Sequence, residues 1–347
     1  MKKIILTGGG TAGHVAPNLA LLPHLSGYEV HYFGADDSIE QRMCKDAGVA
    51  FHPLPCIKFR RSLSLKNLGV PIVLSRGVRE AKKLFRELNP SVVFGKGGFA
   101  ALPATLAATK CGVPLIIHES DLSMGLSNKI VAKKSKYVCT SFPELAEKDS
   151  NGIFTGAPIR EELFHGNATE IAKKLSMPMG SKLKLLIFGG SLGATAINAA
   201  VESSLSSLVN RYDIVHIAGK HPSDIHAEGY RRLEFCDFMA DCYAWADMVV
   251  CRGGSGALSE ITALRKPSLV IPLPKSRSSR GDQEQNAAYF LSKGMVKVLP
   301  QHELSSETLL SSLTDLERDR AALIGAMAKL TPPHGARKIA ELIKSLT

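Results

Sequence analysis

The chain has 347 residues, more than is usual for one domain, and 45% of them are apolar, so two domains with sizeable cores are expected. A formal net charge of +11 favours a surface that meets anions, whether a nucleotide, nucleic acid or acidic lipid. The opening run of three apolar residues is too short for a signal peptide, and no apolar stretch reaches the roughly 18 residues of a spanning helix, so we expect any membrane contact to be peripheral.

The first predicted elements are a strand, a glycine-rich turn and a helix. The apolar segment 3–7 predicts a buried strand, and a helical pattern over 15–25 follows the turn Gly-Gly-Gly-Thr-Ala-Gly-His at 8–14. Spacing within the turn matches the Gly-x-Gly-x-x-Gly fingerprint of dinucleotide-binding proteins, and Asp36 lies about 20 residues on. Because this fingerprint alone has low specificity, an NAD-dependent oxidoreductase stays open as an alternative.

Strands and helices continue to alternate through the first half of the chain. Strands are predicted at 91–94, 114–117 and 136–140, and helices at 69–88, 100–110 and 125–134. Such alternation is typical of a parallel sheet with helices on both faces.

The second half of the chain starts the same pattern again. An apolar strand at 184–188 runs into the glycine loop 189–194. This repetition predicts an α/β fold with two Rossmann-like, doubly wound domains. We place them at 1–156 and 157–333, because Gly and Pro interrupt the pattern at the junction, and we expect the C-terminal helix 334–347 to pack back on the first domain.

The segment 247–273 contains the most informative turn. An apolar run ends in Arg-Gly-Gly-Ser-Gly at 252–256, and a helical pattern and a second apolar run follow, which together predict a βαβ unit. Glycines let the backbone approach a ligand, and the N–H groups of the helix's first turn favour an anion such as phosphate. Glu260, about one helical turn further on, is a candidate acceptor for a ribose diol. The alternative is a turn that only packs the helix, with Glu260 solvated.

Polar residues at the carboxyl ends of the strands are candidate site residues, because ligands of open α/β sheets bind there. His14 lies at a helix start, where the dipole disfavours imidazolium, so it is a candidate general base, with local capping as the alternative. Glu119 and Asp121 are candidates for a base, an orienting group or an acceptor of sugar hydroxyls, or are ordinary loop carboxylates. Lys96 and His118 are expected to line the same crevice.

The segment 57–86 mixes apolar residues with seven or more cations. This pattern favours an anionic membrane surface, with a solvated helix face as the alternative. Nucleic acid is less favoured, because aromatic residues make up only 6% of the chain and it contains no RNP box or zinc finger. The seven cysteines are scattered without metal-ligand spacing, which favours reduced core thiols in a cytosolic protein.

Six motifs in order resemble those of the MurG family of bacterial peptidoglycan N-acetylglucosaminyltransferases. The motifs are Gly8-Gly-Gly-Thr-Ala-Gly-His14, Gly95-Lys-Gly-Gly98, His118-Glu-Ser-Asp121, Gly189-Gly-Ser-Leu-Gly-Ala194, Tyr243-Ala-Trp-Ala-Asp247, and Cys251-Arg through Ser259-Glu260. This resemblance implies a GT-B fold and inverting transfer of GlcNAc from UDP-GlcNAc to the muramoyl 4-hydroxyl of lipid I, which gives lipid II. It also implies that no metal or cofactor is needed, a peripheral location on the cytoplasmic face of the membrane, and possible contacts with other cell-wall synthesis proteins.

The resemblance also carries donor-binding roles onto individual residues. These are Thr11, Ala12 and Gly13 near the donor phosphates, Ser191 on the diphosphate, Arg160 after the domain junction, Phe235 and Cys236 at the uracil, Glu260 at the ribose, and Gln283 at the sugar. The family's commoner His-Glu-Gln-Asn reads His-Glu-Ser-Asp here, so an amide contact to sugar or acceptor becomes a carboxylate at Asp121.

Two further interpretations of the chain stay open beside this one. The first is another GT-B enzyme that uses a UDP-sugar, either on a different lipid acceptor or as an epimerase. The second is a non-catalytic scaffold that binds a sugar nucleotide and recruits a partner to the membrane. Substrate assays distinguish the enzymes from each other, and turnover excludes the scaffold.

Overall fold

The computed structural model of the protein describes residues 1–57, 69–178, 180–190, 193–221, 223, 225–276, 281–330 and 334–347. The chain divides into two compact units. The first comprises Met1–Arg160 and Pro333–Thr347, and the second comprises Glu161–Pro332. Each unit is built on one sheet in which every described strand pair is parallel, so the predicted pair of doubly wound α/β domains is confirmed.

The sheet of the first unit has the strand order β3-β2-β1-β4-β5-β6-β7. Its strands are β1 (Lys3–Thr7), β2 (Glu29–Ala35), β3 (Ala50–Leu54), β4 (Val92–Gly95), β5 (Leu115–Glu119), β6 (Tyr137–Thr140) and β7 (Gly152–Phe154). Its helices are α1 (Ala12–Leu19), α2 (Ile39–Asp46), α3 (Val70–Leu88), α4 (Leu102–Cys111), α5 (Leu126–Val131), α6 (Pro143–Ala146) and the C-terminal α13 (Gly335–Lys344).

Alternate residues of β1 point to opposite faces of this sheet. Ile4 and Leu6 join a core with Val15 of α1 and Ile339 of α13, whereas Ile5 joins the core formed with α3 and α4. Both faces are therefore buried under helices, as a parallel sheet requires. The C-terminal helix is also held by its polar contacts, since Lys338 Nζ donates to the Phe154 carbonyl at 2.7 Å.

The sheet of the second unit has the strand order β10-β9-β8-β11-β12-β13. Its strands are β8 (Leu183–Phe188), β9 (Tyr212–Ile217), β10 (Tyr230–Leu233), β11 (Met248–Cys251), β12 (Ser268–Val270) and β13 (Lys297–Val298). Its helices are α7 (Ala168–Lys174), α8 (Thr195–Arg211), α9 (Met239–Trp245), α10 (Ser255–Ala263), α11 (Asp282–Ser292) and α12 (Ser306–Leu330).

Prolines account for two differences from the predicted elements. The helix predicted over 15–25 is α1 followed by a separate 3-10 turn at Leu22–His24, because Pro23 has no N–H to continue the helical hydrogen bonds. The apolar run predicted over 268–273 stays in the sheet only to Val270, and Pro272 and Pro274 follow it.

Candidate active site

The glycine loop after β1 lies at the point where the strand order of the first unit reverses. β1 pairs with β2 on one side and with β4 on the other, so the loops that follow β1 and β4 leave the same edge of the sheet side by side. This is where doubly wound sheets bind their ligands.

A buried carboxylate from α2 fixes the conformation of that loop. Glu40 is fully buried, and its Oε2 accepts a hydrogen bond from the Gly10 N–H at 3.2 Å. A Cβ at Gly9 would lie only 2.3 Å from Glu40 Oε1, and Gly10 has a φ of +87°. The loop therefore needs glycine at both positions, because the backbone itself packs on the carboxylate.

The candidate base and the candidate phosphate-binding residues share the first turn of α1. Thr11 is the N-cap, and Ala12, Gly13 and His14 are the first three helical residues. The His14 backbone N–H bonds to the Thr11 carbonyl at 3.0 Å, and a Cβ at Gly98 would lie 3.4 Å from His14 Cδ2, so the imidazole lies beside the β4 loop. No acidic residue occupies this first turn, so none of its own side chains offsets the positive end of the helix dipole.

Glu119, at the end of β5, organises the loop that follows it. Its Oε1 accepts hydrogen bonds from the backbone N–H of Ser120 at 3.0 Å and of Asp121 at 3.2 Å. Its Oε2 accepts from the Gly125 N–H at 2.8 Å and from Asn128 Nδ2 at 2.9 Å. Burial raises the pKa of this carboxyl, and the bonds from Gly125 and Asn128 oppose that shift. With two donors on each oxygen, Glu119 fits an orienting role better than that of a base.

Two buried basic residues join the ends of β4 and β5. His118 Nε2 lies 3.0 Å from the Gly156 carbonyl, which can only accept, so this nitrogen carries the proton. The other nitrogen, Nδ1, then accepts from Lys96 Nζ at 2.9 Å, and Lys96 also donates to Ser120 Oγ. Burial and the neighbouring ammonium hold the pKa of His118 well below its usual range, and burial lowers the pKa of Lys96 to about 8.

The second unit repeats this arrangement at its own switch point. β8 pairs with β9 and with β11, so the loops after β8 and β11 leave one edge of the sheet together. Ser191, predicted on the diphosphate, lies outside the described residues. The turn after β11 ends at Gly254, which is the N-cap of α10, and α10 begins at Ser255, as the βαβ pattern predicts.

Gln283 lies in the first turn of α11 and contacts the turn after β11. A Cβ at Gly253 would lie 2.5 Å from the Gln283 carbonyl, so the two backbones touch, and the side-chain Oε1 of Gln283 accepts from the Leu273 N–H at 2.9 Å. Arg252 is buried and donates from Nη1 to the Ile271 carbonyl at 3.0 Å. Burial lowers its pKa.

Helix α9 connects the predicted uracil contacts to the predicted ribose contact. Phe235 is 72% exposed, whereas Cys236 is buried with its Sγ 3.5 Å from Cys242 Sγ on α9. The next residue of α9, Tyr243, donates its hydroxyl to Glu260 Oε2 at 2.9 Å. Two neighbouring residues of α9, Cys242 and Tyr243, thus contact Cys236 and Glu260, and Phe235 is next to Cys236 in the chain. Arg160 is partly buried and belongs to the first unit.

One of these partners had no signal in the sequence. Glu40 lies on α2, 30 residues from Gly10, and only tertiary contact reveals that it holds that glycine. Tyr243 belongs to one of the six motifs, but only the structure shows that its hydroxyl holds Glu260. Lys96 and His118 were expected as lining residues, but the bond between them and their burial follow from the pairing of β4 with β5. Within the described residues, no group of three or more His, Cys, Asp or Glu side chains is placed to hold a metal ion.

Comparison with known proteins gives the family. The glycosyltransferase family 28 N-terminal domain matches residues 4–140, and the C-terminal domain of the same family matches residues 184–343. A relative from Clostridium botulinum is 42% identical over 100% of both chains, and one from Lachnoclostridium phytofermentans is 40% identical over 100% of this chain and 99% of its own. Both are named UDP-N-acetylglucosamine--N-acetylmuramyl-(pentapeptide) pyrophosphoryl-undecaprenol N-acetylglucosamine transferase. The chain belongs to this transferase family.

Solved structures agree with this membership. The crystal structure of Acinetobacter baumannii MurG is 25% identical, covers 99% of this chain and 100% of its own, and superimposes with a TM-score of 0.78. The glycosyltransferase of kitacinnamycin has a TM-score of 0.75 at 17% identity, which shows a shared fold. The predicted MurG-family membership and GT-B fold class are both confirmed, and the site-residue roles stay predictions.

Proposed function

We propose that this glycosyltransferase moves N-acetylglucosamine from UDP-GlcNAc to the muramoyl 4-hydroxyl of undecaprenyl-pyrophosphoryl-MurNAc-pentapeptide, lipid I, to give lipid II. The observation that carries the proposal is the 42% identity over the full length of a relative named for this transfer. The test is an assay with both substrates that follows lipid II and UDP together. Turnover of a different lipid acceptor alone would favour another GT-B enzyme, and UDP-GlcNAc binding without turnover would favour a scaffold.

The chemistry needs a base for the acceptor hydroxyl and positive groups for the departing UDP. In an inverting displacement the hydroxyl attacks the anomeric carbon from the face opposite the UDP, so we assign the base to the acceptor-side unit. His14 is the candidate that the first turn of α1 supports. The N–H groups at the start of α10 would provide fixed dipoles for the diphosphate, and such preorganised donors stabilise charge as it develops.

Donor recognition is assigned mainly to the second unit. Glu260, oriented by Tyr243, would accept the ribose hydroxyls, and the main chain at Phe235 and Cys236 would bind uracil. Gln283 at the start of α11 would contact the sugar, with Thr11, Ala12, Gly13, Ser191 and Arg160 assigned to the phosphates and their surroundings by the family resemblance.

The first prediction concerns nucleotide specificity. UDP and UDP-GlcNAc are expected to raise the melting temperature, while GDP and NAD leave it unchanged, because main-chain groups near Phe235 would match only the uracil edge. A ligand at 100 times its Kd stabilises a protein by about 2.7 kcal/mol, a shift that differential scanning fluorimetry detects. Equal stabilisation by all four nucleotides would contradict the assignment, and stabilisation by NAD alone would restore the oxidoreductase alternative.

We also propose that the first unit binds the anionic cytoplasmic face of the cell membrane peripherally. No helix in the described part of the chain combines the length and apolar character that crossing a bilayer requires. Exposed apolar side chains occur on the two helices that flank α4: Ile72 of α3 is 60% exposed, and Leu126 and Ile130 of α5 are 59% and 48% exposed. Exposed cations on the same two helices are Arg76, Arg79, Lys83, Arg86 and Lys129.

The second prediction follows from this apolar and basic surface. Arg76→Glu with Arg79→Glu, and separately Ile72→Ser with Leu126→Ser, are expected to reduce co-sedimentation with phosphatidylglycerol vesicles, since each cation near such a surface contributes about 1 kcal/mol. High salt should weaken binding of the wild type as well. Arg60, Arg61 and Lys66, also predicted to contribute, lie outside the described residues.

A matched control for the apolar pair is Ile324→Ser on α12 of the second unit, where Ile324 is 39% exposed. This variant is expected to bind vesicles like the wild type. Binding that ignores lipid charge, salt and the substitutions on α3 and α5 would count against the proposal.

A further inference from the structure

We propose that Lys96 is a positioning residue for the acceptor, whose ammonium fixes the loop that carries Asp121 and offsets the charge of its carboxylate. The proposal rests on the proposed function and deepens it, because it assigns a part in acceptor recognition to a residue that was expected only to line the crevice. Lys96 would not touch either substrate and would act through Ser120 and Asp121.

The first support is the location of Lys96 between the two loops of the acceptor-side unit. Its backbone N–H donates to the Thr7 carbonyl at 2.8 Å, which ties the end of β4 to the end of β1. A Cβ at Gly8 would lie 3.1 Å from Lys96 Cβ, so the side chain starts directly against the first glycine of the β1 loop. From there its Nζ reaches His118 and Ser120 at the end of β5.

The second support is the cost of burying this side chain. Lys96 is 1% exposed, and lysines are almost never fully buried unless they are paired. A well-packed apolar residue of similar volume is often neutral or better for stability than a buried ion pair. Packing alone therefore does not explain an ammonium here. The groups that the ammonium contacts are His118 and Ser120.

The third support is the set of charges around it. Among the described residues, the titratable groups that act on Lys96 are His118 and Glu119 of β5, Asp121 in the loop after β5, and Cys139 of β6. Glu119 and Asp121 lie two residues apart, and the charge of Asp121 acts against ionisation of Glu119. Glu119 and Asp121 both act to keep the Lys96 ammonium charged, so the ammonium lies between β4 and a loop of opposite charge.

The consequence concerns how the acceptor is held. Ser120 Oγ accepts from Lys96, and the backbone N–H of Asp121 is fixed by Glu119, so the loop is pinned on both sides of the Asp121 side chain. Removal of the ammonium takes away the hydrogen bond that holds Ser120, and the neighbouring Asp121 is then expected to leave its working position. Acceptor binding should suffer, while the donor site of the second unit should not.

The experiment compares Lys96→Met, Asp121→Asn and the double variant in the lipid II assay. Lys96→Met keeps the length of the side chain and removes its charge, and Lys136→Met, an exposed lysine before β6, is the matched control. We expect Lys96→Met to lower kcat/KM for lipid I about 10-fold or more, with KM for UDP-GlcNAc within about two-fold. The double variant should be no worse than the poorer single variant, because contacting residues that act together do not add.

The pH dependence of kcat/KM for lipid I tests the role of Lys96 separately, because a purely structural role of this residue would not change it. Lys96 has a lowered pKa of about 8, so its ammonium is present below that pH and is lost as the pH rises through it. The wild type should therefore lose kcat/KM for lipid I above about pH 8, and Lys96→Met should lack this alkaline loss.

Three results would overturn the proposal: an unchanged kcat/KM for lipid I in Lys96→Met, additive losses in the double variant, or equal losses for both substrates. Failure of the wild type itself to form lipid II would refute the proposed function, and this proposal with it. The two failures are thus distinguished by the wild-type assay.

Discussion

His14→Ala is expected to lower kcat by roughly 10²–10⁴ while affinity for UDP-GlcNAc stays nearly unchanged, the usual range for a lost general base. The reason is the place of the imidazole. It stands in the first turn of α1, beside the β4 loop, and the positive end of the helix favours its neutral form, which can take a proton. The measurement is steady-state kinetics at saturating lipid I, with isothermal titration of UDP-GlcNAc.

The alternative bases provide the contrast for this prediction. Glu119→Gln keeps the shape of that side chain but places an amide NH2 against N–H donors, so it should lower the melting temperature as well as activity. A matched histidine control is His302→Ala, which lies on the surface of the second unit.

One outcome reverses the assignment. If His14→Ala keeps near-normal kcat while Glu119→Ala or Asp121→Ala abolishes turnover without loss of folding, then a carboxylate is the base.

Glu260→Ala is expected to weaken UDP-GlcNAc binding roughly 10- to 100-fold, since a hydrogen bond to a charged group contributes about 1.5–3 kcal/mol. The carboxylate is held by the Tyr243 hydroxyl at 2.9 Å, so Tyr243→Phe should give a smaller loss through a less well oriented Glu260. Titration with UDP-GlcNAc measures the Kd of both variants. UMP keeps the ribose, so it should also bind Glu260→Ala more weakly than Tyr243→Phe.

The control for this series is Glu307→Ala at the start of α12, a carboxylate in the same unit with no proposed role. An unchanged Kd for UDP-GlcNAc in Glu260→Ala would refute the ribose contact. A loss confined to the sugar nucleotide, with UMP binding intact, would move Glu260 from the ribose to the sugar.

Much of the fold could be predicted because it depends on local patterns. The strands β1, β4, β5, β8 and β11 are short apolar runs, and each lies in the middle of a sheet, where both faces are buried and the sequence is almost purely apolar. The strands that were missed contain polar residues or prolines or lie at edges. Edge strand β3 contains Pro53, and β9, although not at an edge, contains Asp213 and His216 among its apolar residues.

The glycine turns could also be predicted, together with the order of the two domains. A turn that must pass close to another group excludes a side chain, and this requirement is visible in the sequence as glycine. What the turn approaches is not visible. The carboxylate under Gly9 comes from α2, about 30 residues away, and the backbone beside Gly253 comes from α11, at a similar separation.

The chain's residue types alone thus determined the two doubly wound domains, their glycine loops and the family to which they belong. The tertiary structure decided which candidates contact each other. Parallel pairing of β1, β4 and β5 brings Lys96 to His118 and Ser120. It also turns four N–H donors onto Glu119, which favours an orienting role for that residue over the role of a base. These contacts join segments that are far apart in sequence, and no local propensity or spacing encodes the register that aligns them.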